Sequence, residues 1–130
     1  MHSVVSCQTM STILIVEDET YISQYVAINL NARGYQTLEA TTVQAGLDLL
    51  RESSPHLILL DVKLADNVSG WSMLSAIADD PTLPKLPVIL MTASLAPDQP
   101  DETEYPNLVS KLIKPFDVDD LVNVVSAIFG

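Results

Sequence analysis

Cysteine, basic residues and long apolar runs are all scarce in this sequence, and each shortage excludes a class of protein. Cys7 is the only cysteine, so no disulfide can form within the chain, which fits a reducing cytoplasm. No apolar stretch approaches the roughly 18 residues that suggest a membrane span. Residues 1–10 lack a cationic start followed by a long apolar stretch, which predicts a flexible N-terminal tail rather than a secretory signal.

The shortage of basic residues also limits the partners. Six basic residues stand against 17 acidic ones, and the net charge is −11. Such a surface is repelled by nucleic acid and by anionic membranes, so we expect direct binding to neither. Divalent cations and basic protein patches are the natural partners. The 130 residues are 48% hydrophobic, without internal repeats or an interdomain linker, which predicts one domain over residues 11–130.

Apolar runs and helical periodicities alternate along the chain. The predicted strands are Thr12–Val16, Tyr35–Ala40, His56–Leu60, Leu86–Met91 and Leu108–Ile113, and the predicted helices are Tyr21–Arg33, Thr41–Glu52, Trp71–Asp79 and Val118–Phe129. Three strands are apolar on both faces, which is typical of a parallel sheet covered by helices on both sides. We therefore predict an α/β fold, a doubly wound five-stranded parallel sheet in the flavodoxin-like order 2-1-3-4-5.

Local signals mark where several helices begin and end. Gly34 follows the first helix where a left-handed cap is favoured. Thr41, with Gln44 three residues later, matches a capping box, and Asp117 can cap the last helix. The fourth helix is expected to be short or irregular, because three prolines fall within residues 93–107 and leave room only for about residues 101–105.

Acids, a hydroxyl and an amine stand at the carboxyl ends of the predicted strands. They are Glu17, Asp18, Glu19, Asp61, Thr92 and Lys114. Ligands of open parallel sheets bind beyond this edge, at the point where the strand order reverses. Carboxylates gathered there stay ionised only when a cation joins them, and an all-oxygen donor set favours Mg²⁺. A carboxylate beside Mg²⁺ can act as a nucleophile that forms an aspartyl phosphate, with the lysine offsetting charge.

Four stretches of sequence carry a resemblance to a known family. ILIVEDE, LILLD, VILMTAS and LIKPF, in this order and near the expected spacing, resemble the signatures of response-regulator receiver domains of two-component signal transduction, the CheY-like superfamily. The resemblance covers residues 11–130. It implies a cytoplasmic switch that takes a phosphoryl group from a histidine kinase or phosphotransfer protein, uses Mg²⁺, and then changes its partner-binding surface.

The resemblance also implies a role for each residue at the strand ends. Asp61 would be the phosphoacceptor. The metal ligands would be Glu17, Asp18, Asp61 and the backbone carbonyl of Lys63. The phosphoryl group would be held by Thr92 and Lys114, with the small Ala93 leaving room for it. Pro115, usually preceded by a cis bond, would fix the last loop, and Glu19 receives no ligand role.

Three departures from the family pattern bear on these roles. Ala65 stands where proline is usual, and Gly70 comes one residue late. Lys111 occupies a position, three before Lys114, that often holds an aromatic residue which rotates inward with the threonine. The proline-rich segment, residues 93–107, indicates an output surface of the protein's own. Lys63 and Lys111 are therefore candidate modulators, although each also has the character of an ordinary surface lysine.

Two other functions stay open at this point. A phosphorylation-independent interaction module, or pseudo-receiver, would explain the altered loop and Lys111. A Mg²⁺ phosphohydrolase would commonly carry a second acid two residues after the nucleophile, but this position is Lys63, so no turnover beyond self-phosphorylation and dephosphorylation is expected. The downstream partner is not specified by the sequence, and a homodimer stays open. His56 and Trp71 are interpreted as structural residues.

Overall fold

Five parallel strands and the helices that connect them position the rest of the chain. The computed structural model describes residues 11–64, 68–93 and 105–129. The strands are β1 (Thr12–Val16), β2 (Gln36–Ala40), β3 (Leu57–Asp61), β4 (Val88–Thr92) and β5 (Leu108–Ile113). The helices in the described ranges are α1 (Thr20–Asn31), α2 (Val43–Glu52), α3 (Gly70–Asp79) and α4 (Val118–Phe129). The order β2-β1-β3-β4-β5, parallel throughout, confirms the predicted fold.

Helices bury both faces of the sheet, which explains why the central strands are apolar at every position. Leu14 and Val16 of β1 face a core formed with α2 and α3. Ile13 and Ile15 face a second core formed with α1 and α4. Each fully buried aliphatic side chain of this kind contributes about 1.5–3 kcal/mol to folding. The two cores together hold the sheet rigidly, and the sheet in turn fixes the positions of the residues at the ends of its strands.

Two strands end later than the sequence predicted. β3 runs from Leu57 through Asp61, and β4 runs from Val88 through Thr92, because parallel pairing continues to the polar residues: Asp61 pairs with Met91 and Thr92 pairs with Ile113. The predicted strands stopped one residue short because periodicity registers only apolar residues. The acid and the hydroxyl are therefore held by the ladder itself and not by a loop.

The predicted capping box was wrong by one residue. Thr42, not Thr41, caps α2, and its hydroxyl accepts a hydrogen bond from the Ala45 N–H at 3.0 Å. Gln44 then lies at the second helical position, too early to reach back to the cap, and it donates to Asp48 instead. Two adjacent threonines offer the same capping chemistry, so the sequence alone did not decide between them.

Two other predicted signals at helix ends are confirmed, although α1 ends at Asn31 and not at the predicted Arg33. Gly34 follows α1 with φ of 92°, a left-handed conformation that glycine adopts without strain. The Asp117 carboxylate accepts a hydrogen bond from the Asp120 N–H at 2.9 Å, which caps α4.

The tail predicted at residues 1–10 and most of the helix predicted near residues 101–105 lie outside the described residues. In the described ranges, no helix is long and apolar enough to cross a membrane.

β5 is an edge strand whose register shifts near its start. Val88 pairs with Leu108, but Ile89 pairs with Ser110, so one residue of β5 has no partner in the ladder. Bulges of this kind are common on edge strands, where they hinder pairing with another sheet. The shift also sets which residues of β5 stand opposite β4 farther along the strand.

Candidate functional site at the carboxyl edge

Four predicted residues from distant parts of the chain meet at the carboxyl edge of the sheet. Glu17 directly follows β1, Asp61 and Thr92 end β3 and β4, and Lys114 directly follows β5. The Lys114 ammonium lies 2.7 Å from a carboxylate oxygen of Glu17 and 3.1 Å from one of Asp61. The side chain of Glu17 is 0% exposed, that of Asp61 6% and that of Lys114 16%. The edge is therefore a buried cluster in which one cation bridges two acids.

Glu17 is buried because it continues the strand that precedes it. Its N–H donates to the Ala40 carbonyl at 2.9 Å, one step beyond the β1–β2 ladder. Burial is the main reason that the pKa of Glu17 rises to about 8, and the neighbouring Asp61 carboxyl adds to the rise. Lys114 acts in the opposite direction and lowers this pKa. The repulsion between carboxylates expected from the sequence is thus present, and it makes Glu17 a group that gains from an added positive charge.

Lys114 is held in place by both its backbone and its side chain. Its N–H donates to the Thr92 carbonyl at 2.7 Å, and the following Lys114–Pro115 bond is cis, as the resemblance implied. Burial opposes the charge on Lys114, but the hydrogen bond to Glu17 and the field of Asp61 outweigh it, so the pKa of Lys114 is raised. The ammonium stays fully charged at neutral pH and serves as a fixed counter-ion.

The acids after β1 form a group with the spacing of metal ligands. One carboxylate oxygen each from Glu17, Asp18 and Glu19 lies within 4.8 Å of the others. A hard cation such as Mg²⁺ takes oxygen donors of this type, and the buried Glu17 requires compensation of its charge, so these residues fit the ion. Glu19, which the sequence prediction left out, belongs to the group by distance, and its carboxylate accepts a hydrogen bond from the Tyr21 hydroxyl.

The loop after β3 holds Asp61 from behind. The Lys63 N–H donates to the Asp61 carboxylate at 3.3 Å, and the Gly70 N–H donates to the Val62 carbonyl at 2.7 Å. A Cβ atom added at Gly70 would lie only 2.2 Å from the Asp61 carbonyl oxygen. Gly70 is thus required by close backbone contact with the predicted phosphoacceptor, a role that sequence reasoning missed. The glycine at the start of a helix was the available signal.

Comparison with known proteins identifies the family. The family model described as "Response regulator receiver domain" matches residues 13–126. The chain belongs to the response-regulator receiver domains. Phosphorylation and magnesium are expected for this family, whose members are signalling switches of two-component systems rather than turnover enzymes.

Individual receiver proteins are similar over nearly their whole length. The polar-differentiation response regulator DivK of Brucella ovis is 29% identical over 119 residues, which span 92% of this chain and 96% of that protein. The receiver domain of a Luxo repressor protein from Vibrio parahaemolyticus has a TM-score of 0.80 at 27% identity, covering 92% of this chain and 90% of that one. A CheY-like receiver from Methanospirillum hungatei, at 24% identity and a TM-score of 0.78, covers 92% and 94% and shows the same fold.

The other residues predicted from the sequence of this receiver domain are not among the charged side chains of the cluster. Ala93 is exposed directly after Thr92, where the resemblance leaves room for a phosphoryl group. Lys63 is exposed in its loop, and Ala65 lies outside the described residues. Lys111 is half-buried and stands opposite Leu90 in the ladder. The modulating roles of both lysines stay predictions.

The two residues interpreted as structural are placed as expected. His56 precedes β3 at the amino edge of the sheet, where its Nδ1 accepts a hydrogen bond from the Thr12 N–H at 3.0 Å. Trp71 is buried in the core on the α2–α3 side. Neither side chain belongs to the charged cluster, so the described site consists of residues from the carboxyl edge alone.

Proposed function

We propose that this receiver domain is a phosphoacceptor switch. Asp61 accepts a phosphoryl group from the histidine of a sensor kinase or a phosphotransfer protein, and the modified domain presents a changed surface to a downstream protein. The observation that carries the proposal is the buried bridge from Glu17 through Lys114 to Asp61. A buried ion cluster of this kind is an expensive way to hold a sheet together, which favours a chemical use for it.

Mg²⁺, when bound, would neutralise charge on the phosphoryl group during transfer. Its ligands would be Glu17, Asp18, Asp61 and the backbone carbonyl of Lys63. An Asp61 carboxylate oxygen forms the new bond to phosphorus as the bond from phosphorus to the donor imidazole breaks, and the imidazole leaves with that electron pair. Lys114 offsets the negative charge that develops, and the Thr92 hydroxyl donates a hydrogen bond to a phosphoryl oxygen.

Lys114 would convert the new phosphate into a movement of the backbone. A phosphoryl group adds roughly −1.5 to −2 charges at neutral pH, which attracts the ammonium away from Glu17. The backbone N–H of Lys114 is hydrogen-bonded to the Thr92 carbonyl, so a shift of the Lys114 side chain is passed to the end of β4. The equilibrium between two arrangements of the β4 and β5 ends is thereby biased.

Exposed apolar residues beside the site suggest where the phosphodonor protein docks. Tyr21, Tyr25 and Ile28 follow one another at spacings of four and three along α1, so they form one stripe. Tyr21 is 68% exposed and Ile28 67%, and the Tyr25 ring lies 6.4 Å from that of Phe116 in the loop after Lys114. The stripe begins where α1 leaves the acidic edge, so a helical donor seated on it could present its histidine to Asp61.

Docking on α1 is tested by comparing two kinds of phosphodonor. Ile28→Ala is expected to slow transfer from the cognate phosphodonor protein about tenfold but to leave phosphorylation by phosphoramidate unchanged. Val109→Ala, on β5, serves as the control because its side chain is also exposed, at 47%. Equal effects of Ile28→Ala on both donors would remove α1 from the docking surface.

Binding of a phosphate mimic tests the function itself. Beryllofluoride added with Mg²⁺ is expected to give a bound signal in fluorine NMR that disappears with EDTA and in Asp61→Asn. The absence of a bound signal from the wild type, beside a standard receiver that responds, would favour the pseudo-receiver instead. Sustained turnover of a phosphate ester, lost in Asp61→Asn, would instead show an enzyme.

The cytoplasm is the proposed location of the domain, and its charge opposes two classes of partner. A cytoplasmic setting is proposed because phosphodonor kinases act there and because the chain carries one cysteine, Cys7. No direct contact with nucleic acid or membrane is proposed, since the net charge of −11 opposes both. Basic patches on downstream proteins match this charge.

A further inference from the structure

A buried contact links α3 to the residue that leads into β5. The rings of Trp71 and Tyr105 lie with centroids 6.0 Å apart and planes inclined by 36°. The Tyr105 hydroxyl lies 2.7 Å from that of Ser75, one turn after Trp71 on α3. The Tyr105 carbonyl accepts a hydrogen bond from the Leu108 N–H at 2.9 Å, which ties it to the first residue of β5. Packing and polar contacts therefore join the helix and the strand.

The same contact is connected to Asp61 through the start of α3. Gly70, immediately before Trp71, approaches the Asp61 carbonyl too closely to accept a side chain. The Gly70 N–H donates a hydrogen bond to the Val62 carbonyl. The next residue, Lys63, donates its N–H to the Asp61 carboxylate. Any rearrangement of the Asp61 backbone or of this loop therefore displaces the residue next to Trp71. The ring of Trp71 is packed in the core, so we expect it to move with Gly70.

The two carboxylate oxygens of Asp61 contact different parts of the fold. One oxygen accepts the Lys63 N–H, and the other pairs with Lys114. Phosphorylation of the first oxygen is expected to disturb the hydrogen bond from Lys63 and so the position of Val62 and Gly70. Phosphorylation of the second is expected to draw Lys114, at the end of β5, toward the new phosphoryl group. The first route enters β5 through Tyr105 at its start, and the second enters it at its end.

We propose that Trp71, Ser75 and Tyr105 form a coupling contact that transmits the state of Asp61 to the start of β5. The inference depends on the proposed phosphorylation of Asp61. Tyr105 supplies on this route the aromatic read-out that β5 lacks, because the strand carries the half-buried Lys111 at the position where the family often has an aromatic residue. In this receiver the signal passes through the packing of α3 in addition to the β4–β5 ladder.

The chain provides its own probe for this coupling, since Trp71 is the only tryptophan. Three quantities are measured while beryllofluoride and Mg²⁺ are added: site occupancy by fluorine NMR, the emission of Trp71, and the exchange rate of the Leu108 amide. The wild type is expected to change in all three. Tyr105→Phe keeps the ring but removes the hydroxyl that contacts Ser75, and Ser75→Ala removes the other partner.

Both variants are expected to bind the mimic with a midpoint within about twofold of the wild type. The ligand-induced changes in Trp71 emission and in Leu108 exchange are each expected to fall by at least half. Tyr35→Phe is the matched control, because Tyr35 packs against Phe129 in the core on the other side of the sheet, with ring centroids 5.5 Å apart. This control should retain the full changes.

The outcomes separate the coupling from the function on which it depends. A normal fluorine signal with unreduced Leu108 and Trp71 responses in both variants would overturn the coupling contact and leave the phosphoacceptor function standing. No fluorine signal from the wild type would overturn the function, and the coupling with it. Loss of the responses in Tyr35→Phe as well would show general loosening of the domain and would also overturn a specific contact.

Discussion

At the amino edge of the sheet β1 and β3 begin beside hydrogen bonds between Thr12 and His56, whereas at the carboxyl edge they end in buried ionisable groups. Thr12 and His56 exchange bonds between adjacent strands: the His56 N–H donates to the Thr12 carbonyl at 2.8 Å, and the Thr12 N–H donates to the imidazole. At the other edge Glu17 and Asp61 are buried around Lys114. The same strands form both edges, so the fold itself does not require the charges.

The difference shows where the molecule trades stability for chemistry. Hydrogen bonds between backbone groups satisfy a sheet edge at little cost in free energy. Buried carboxylates lose their hydration, and the attraction of a single lysine compensates only part of that free energy. The raised pKa of Glu17 is the direct sign of this imbalance. An added positive charge is therefore expected to stabilise the carboxyl edge and to have no such effect at the amino edge.

Removing the bridging ammonium should have the largest effect. Lys114→Met leaves Glu17 and Asp61 without their counter-ion, and we expect the free energy of unfolding to fall by roughly 3 kcal/mol in metal-free solution at pH 8.5. Lys85→Met is the control, because the Lys85 ammonium also donates within the fold, to the carbonyls of Asp80 at 2.8 Å and Leu83 at 3.3 Å. Urea unfolding should show a loss of about 1 kcal/mol there. Equal losses would contradict the special character of the carboxyl edge.

Adding a methyl group behind Asp61 should have the next largest effect. Gly70→Ala places Cβ against the Asp61 carbonyl, so the backbone must move. We expect the free energy of unfolding to fall by about 1–3 kcal/mol. Gly46→Ala is matched to it: its Cβ would lie 3.1 Å from the ends of the Met73 and Val16 side chains, which can adjust. Thermal unfolding of the Gly46 variant should stay within about 1 kcal/mol of the wild type, helped by the helix propensity of alanine. The account fails here if Gly70→Ala is tolerated equally well.

Stability should depend on pH through Glu17 in metal-free solution. Its pKa is about 8 in the fold against an ordinary 4.5, so between these values the folded chain holds a proton that the unfolded chain releases. The stability that the bound proton contributes to the fold is fully present below pH 4.5 and is lost as the pH rises to about 8. The free energy of unfolding should fall by up to roughly 1.4 kcal/mol per pH unit for this one proton. Glu17→Gln should flatten this part of the profile, measured by urea unfolding at several pH values. An unchanged slope would contradict the raised pKa.

The amino edge should give the smallest effect. His56→Ala removes one acceptor from the exposed Thr12 N–H, and we expect a loss of about 0.5–1 kcal/mol with no change in beryllofluoride binding. Ser54→Ala, exposed in the preceding turn, should be within about 0.5 kcal/mol of the wild type. A larger loss in His56→Ala than in Lys114→Met would reverse the contrast between the edges.

The order of strands and the meeting of Glu17, Asp61 and Lys114 were predictable because they follow from chain-level rules. Strands alternating with helices form a parallel sheet, and the carboxyl ends of parallel strands share one edge. Residues that end apolar strands are therefore brought together whatever their separation in sequence. This rule needs no knowledge of side-chain packing.

What the sequence did not predict depends on close approach between elements. The contact of Gly70 with the Asp61 backbone and the position of the Tyr105 ring against Trp71 are set by how α3 packs on the sheet. Periodicity shows which face of α3 is buried but not which atoms it meets. The choice of Thr42 over Thr41 as a cap was undetermined for a similar reason, since neighbouring residues offered the same chemistry.

The central claim is that the charged edge exists to receive a phosphoryl group on Asp61. The most direct measurement is the intact mass of the protein after incubation with phosphoramidate, with Mg²⁺ or with EDTA, followed by location of the modified residue. We predict the mass gain of one phosphoryl group, located at Asp61, present with Mg²⁺ and absent with EDTA and in Asp61→Asn. A wild-type mass that does not change in Mg²⁺, while a standard receiver in the same solution is phosphorylated, would contradict the claim.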